Sequence, residues 1–81
     1  MAPEITIRQA TSSDAFALRR LAALDDRAAL RGEVLVAEQA GEIRAALSLE
    51  DGRSIANPFA PTARLVDMLH VHRGYAETVA A

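Results

Sequence analysis

VLVAEQAGEIRAALSL, residues 34–49, is the stretch on which the fold turns. Val34 to Glu38 and Glu42 to Leu49 are two short, largely apolar runs, and Ala40-Gly41 lies between them where a tight turn tolerates positive φ. The pattern predicts a β-hairpin. Just beyond it, Glu50-Asp51-Gly52 supplies a second turn, since Asp-Gly is a strong hairpin signal, and leads into a brief strand over Ser54 to Ala56. On the other side, Glu4 to Arg8 reads Glu-Ile-Thr-Ile-Arg, with Ile5 and Ile7 alternating against polar neighbours as in a half-buried strand.

Two helices fit between and after these strands. Thr11 and Asp14 have the spacing of a capping box, with Asp in the place usually taken by Glu or Gln, so a helix is expected from Ser12 to about Asp26. Leu18, Leu21, Ala22 and Leu24 give it one apolar stripe, with Arg19, Arg20 and Asp25 largely elsewhere. Residues 27 to 32 read as a further short helical turn stopped by Gly32. Asn57-Pro58 ends strand pairing, and Pro61 suits the first turn of a second helix carrying Leu65, Val66, Met68 and Leu69 to about Arg73. Gly74 is placed to cap that helix, leaving Tyr75 to Ala81 as a short tail or one more turn. The expected fold is α+β in the order β-α-β-β-β-α: one domain over residues 1–81, with a small, mostly antiparallel sheet packed by two helices.

At 81 residues the chain is long enough for one core, and much of its 51% hydrophobic fraction is alanine, which buries little area. The core is expected to be thin, which makes self-association or a partner a natural supplement. A net charge of -2 disfavours nucleic acid, whose binders carry a basic stripe. All nine basic residues are arginine, which fits the codon bias of a GC-rich, bacterial genome. The absence of cysteine removes disulfides, thiolate metal sites and cysteine nucleophiles. MAPEITIRQA has no signal-peptide pattern and no apolar segment approaches the roughly 20 residues of a membrane span, so a cytoplasmic location is expected.

Residues 7 to 15, Ile-Arg-Gln-Ala-Thr-Ser-Ser-Asp-Ala, resemble the "I-R-x-A-T-x-x-D" opening of a GNAT-superfamily N-acetyltransferase. Residues 34 to 43 resemble the family's "V-A-E-x-D-G-x-I" hairpin, with Ala40 in place of the usual Asp or Asn. The resemblance covers residues 5 to 56 and implies the N-terminal half of a GNAT domain. In the family a Gln/Arg-x-x-Gly-x-Gly/Ala loop follows and holds the pyrophosphate of acetyl-CoA on backbone N–H groups. The corresponding residues 55 to 63, Ile-Ala-Asn-Pro-Phe-Ala-Pro-Thr-Ala, contain no glycine, and Pro58 and Pro61 each remove a donor. The family's fifth strand has no counterpart. The resemblance therefore brings no catalytic residue to this chain, and no cofactor is expected.

The remaining candidates are weighed against plainer roles. His70 and His72, two apart on a helix, point about 200° from each other and do not share a metal; one is expected on the surface and the other at the edge of the helix contact. Glu38, Glu42, Glu50 and Asp51 flank the hairpins, where carboxylates capable of acid–base work are usually solvated. Arg19, Arg20, Arg27 and Arg31 form a basic cluster neutralised by Asp25, Asp26 and Glu33, read as a solvated helix face. Thr62 and Ala63, at a helix start, are the residual candidates for an acetyl-CoA phosphate site. Phe59 is expected to anchor the second helix against the sheet, and Phe16 either to do the same for the first or to lie on a contact surface. Ile55, Phe59 and Phe16 are the candidate interaction residues, Ile55 because the short fourth strand would leave an open edge beside Asn57. Two functions follow. The first is a non-catalytic interaction or accessory module, joined to a second copy or to a larger protein. The alternative is acyl-CoA binding or N-acetyltransfer completed by a dimer mate or partner chain.

Overall fold

The hairpin turn at Ala40-Gly41 has φ of 55° and 79°, the twist that lets a two-residue loop join antiparallel strands. In a computed structural model, which describes the backbone of residues 4–80 and the side chains of residues 4–74, it joins β2 (Val34–Gln39) to β3 (Glu42–Ser48). β1 (Ile5–Gln9) flanks β2 on one side and β4 (Ser54–Ala56) flanks β3 on the other, all antiparallel, in the order β1-β2-β3-β4. A 3-10 turn (Ser12–Asp14) leads into α1 (Ala15–Leu24), and α2 (Ala63–Ala80) follows the sheet. The α+β class and the order β-α-β-β-β-α are those expected.

The helices cover opposite faces of the sheet. Leu21 and Ala22 of α1 pack with Val34, Val36, Ala46 and Ile55, while Leu65 and Leu69 of α2 pack with Ala37, Ala45 and Leu47. Because both faces are covered, β2 and β3 are apolar on both sides, hence their continuous runs. Ala37, Ala45 and Ala46 have no exposed surface, so the alanines fill the sheet's centre. A register shift between Ala37 and Glu38 leaves Arg44 as an extra residue on β3. Ile43 and Ala46, three positions apart, consequently share the α1 face.

Several boundaries differ from expectation, each for a local reason. α1 ends at Leu24 in a Schellman motif: Arg27 N–H donates to the Ala22 carbonyl at 2.9 Å and Asp26 N–H to Ala23 at 3.1 Å, with Asp26 left-handed at φ 52°. Leu24, the last member of the predicted stripe, is exposed. Residues 27 to 31 form no helical turn. Their backbone is held otherwise, with the Arg53 guanidinium donating to the Ala28 and Ala29 carbonyls at 3.0 and 2.6 Å. α2 begins at Ala63, so Pro61 precedes the helix rather than occupying its first turn. It also runs through Gly74 to Ala80, which a single glycine permits at a cost of only about 1 kcal/mol. Gly74 is thus no cap; Ala81 lies outside the described residues.

Candidate functional site

Strand alternation sends Ile5 and Ile7 towards the α2 side and Thr6 and Arg8 towards the α1 side. Arg8 lies opposite Val36, diagonal to Glu38, and the chain then turns so that Asp14 comes under the same guanidinium. Arg8 Nη1 and Nη2 donate to the two Asp14 carboxylate oxygens at 2.8 and 2.9 Å, and Nε donates to Glu38 Oε1. Asp14 also accepts the Thr11 N–H at 2.7 Å, the reciprocal arm of the expected capping box.

The bidentate Arg8 fork, followed by the Thr11 N–H, holds the buried Asp14 carboxyl well below the usual carboxylate range, and the two carboxylates in turn raise Arg8. A general base works best with a pKa near the operating pH, so Asp14 is poorly suited to proton transfer. The triad is a clasp joining β1, the helix entry and β2. Glu38, expected to be solvated, is therefore half-buried and ion-paired. The signal that would have found the clasp is an arginine on the polar side of a half-buried strand, six residues before a capping Asp.

Beside the clasp lies an open cleft of about 370 Å³, rimmed by Phe16, Arg20, Leu24 and Ile43. A second, of about 410 Å³, lies between Gln9 to Thr11 and Leu30 to Val34. Glu42, Glu50 and Asp51 are exposed, with Glu42 facing Arg44 at 3.5 Å and Asp51 accepting the Arg53 N–H, which lowers its pKa. Arg19, Arg20, Arg27 and Arg31 are exposed as expected; His70 and His72 are both exposed, so neither lines the helix contact. Among the described residues no group of His, Asp and Glu is arranged to hold a metal, and no helix is long and apolar enough to cross a membrane.

Phe59 does not anchor α2: it is 82% exposed. Asn57 folds the loop over itself, its Oδ1 accepting the Phe59 N–H at 2.9 Å and its carbonyl accepting Ala60 N–H at 3.3 Å, and the turn directs the ring outward. Leu65 and Leu69 seat the helix instead. Thr62 and Ala63 stand at the start of α2, where the Thr62 carbonyl accepts Val66 N–H. Phe16 is 71% exposed.

The two sheet edges differ. On either side of β4, the Arg53 carbonyl accepts the Ser48 N–H and the Asn57 N–H donates to the Arg44 carbonyl, so by alternation Ile55 also faces β3 and, within β4, Ser54 and Ala56 face outward. Ile55 is buried in the α1-side core, and the Ala56 N–H is taken by Asp25 Oδ2 at 3.1 Å. The expected open edge beside Asn57 is thus partly closed by a side chain from the end of α1. In β1, Ala10 donates to the Val34 carbonyl, so Thr6 and Arg8 bond to β2, while Ile5, Ile7 and Gln9 turn their backbone groups outward. Among the described residues no strand pairs with that side. No protein family, curated protein or solved structure matches this chain.

Proposed function

We propose that this chain is a non-catalytic interaction module, an accessory half-fold of the GNAT type that binds another polypeptide by strand addition at β1. The observation that carries the reading is the contrast between edges: five residues of β1 with outward-facing backbone at Ile5, Ile7 and Gln9, against three residues of β4 with an amide already occupied by Asp25. An exposed strand edge is a template for a further strand, and strand addition draws its affinity from main-chain hydrogen bonds. Phe16 and Phe59 offer exposed aromatic surface to the same or a second contact. Acetyl-CoA binding has less support: the loop before α2 contains no glycine, Pro58 and Pro61 carry no N–H, and the Phe59 and Ala60 N–H groups are turned inward to Asn57, which leaves only the Thr62 and Ala63 end of that stretch to meet a phosphate.

Residue-resolved amide exchange tests the reading against a panel of extended peptides of alternating β-branched sequence. The expected result is slowed exchange at Ile5, Ile7 and Gln9, with Thr6 and Arg8, already bonded to β2, unchanged. Saturable acetyl-CoA binding that protects residues 57–63 and leaves β1 unaffected would contradict it.

A further inference from the structure

We infer that the strand added at β1 is β1 of a second copy, antiparallel, with the twofold axis passing between the two Thr6 residues; this rests on the interaction reading and specifies its partner. The outward backbone groups of β1 sit at odd-numbered positions, so two copies pair only in registers that oppose odd residues to odd ones. Centring the pair on Thr6 meets that condition, and Glu4-Ile5-Thr6-Ile7-Arg8 is then complementary to itself. Ile5 and Ile7 of one copy face Ile7 and Ile5 of the other, exchanging both hydrogen bonds of each pair, on the α2 side. On the α1 side Thr6 meets Thr6, and Glu4 at each end meets Arg8.

The two central pairings are of a stabilising kind, β-branched against β-branched and hydroxyl against hydroxyl, while Glu4 at each end meets a guanidinium that already bridges Asp14 and Glu38. Ile5 and Ile7 are only partly buried in the single chain, so their apolar surface is available to the pairing. Arg8 spends four of its five N–H groups within its own chain, on Asp14, Glu38 and the Gln9 carbonyl, and retains one on Nη2. The ladder is also bounded. Beyond Arg8 the next residue, Gln9, has a carbonyl that Arg8 already engages. The result is one continuous eight-stranded sheet with closed twofold symmetry, which removes both β1 edges.

Because the chain has no cysteine, a single introduced thiol reports the axis without background. In a non-hydrogen-bonded antiparallel pair the facing Cα atoms lie about 4.5 Å apart, within disulfide range. Thr6 is exposed in the single chain, so Thr6→Cys leaves the core intact. Under mild oxidation Thr6→Cys should form a disulfide-linked dimer at a concentration where Ser13→Cys, equally exposed but off the axis, stays monomeric. Thr6→Glu, which sets two carboxylates face to face, should raise the dimer dissociation constant about fivefold or more with an unchanged circular dichroism spectrum. A wild-type monomer at all concentrations, or a dimer that Thr6→Cys fails to link, overturns the self-pairing. If strand peptides still protect Ile5 and Ile7 in either case, the interaction reading survives; if they do not, both fall.

Discussion

Ala40 holds φ at 55°, a left-handed conformation that costs an L-residue with a Cβ about 1–2 kcal/mol. Ala40→Gly or Ala40→Asn relieves that strain, and either should stabilise the fold by about 1 kcal/mol, read as a higher urea midpoint at unchanged slope. Ser48 is the opposite case, a wholly buried hydroxyl that is fully used. Its Oγ donates to the Arg31 carbonyl at 2.8 Å and accepts the Glu50 and Asp51 N–H groups at 3.1 and 3.3 Å. Ser48→Ala should cost about 1–3 kcal/mol by orphaning all three. Asp14 makes stability depend on pH. Its carboxyl is depressed in the folded chain, so its contribution is complete above the unfolded value of about 3.9 and is lost as pH falls through the lower folded value. Denaturation midpoints should therefore drop below about pH 4, and Asp14→Asn should be less stable at neutral pH with a flatter acid profile. A midpoint for the wild type that is flat down to pH 2 would contradict the clasp.

At the scale of elements, the parts legible in the sequence are those written in apolar spacing and turn chemistry. The hairpin at Ala40-Gly41, the alternation of Ile5 and Ile7 and the capping pair Thr11 and Asp14 are local signals, and each appears where its pattern puts it. What escaped was settled by distant partners. Arg53 reaches back to Ala28 and Ala29 and holds as a loop what reads as a helical turn, and the bulge at Arg44 depends on how β2 and β3 pair. Phe59 reads as a core residue in the sequence because aromatic residues usually lie inside, whereas Asn57 bends its loop so that the ring faces out. Accordingly Phe59→Ala should change stability by less than about 0.5 kcal/mol, as at other surface positions, and Leu69→Ala should cost about 2–5 kcal/mol. Thermal or urea unfolding of the two variants checks the pair. A large loss for Phe59→Ala would return the ring to the core.

For the whole molecule, a four-stranded sheet with a helix on each face leaves only its edges to be managed, and the two are managed unequally. The sequence placed the open edge at β4 because that strand is short; its closure by Asp25 and the openness of β1 depend on hydrogen-bond phase, which follows only from the assembled sheet. The candidate site was accordingly less legible than the fold, since neither the Arg8 clasp nor the β1 edge is a motif. A native mass spectrum of the purified chain, taken over a range of concentrations with and without acetyl-CoA, tests the interaction reading most directly. The account predicts a dimer that grows with concentration and carries no cofactor; a monomer at every concentration that takes up acetyl-CoA saturably would contradict it.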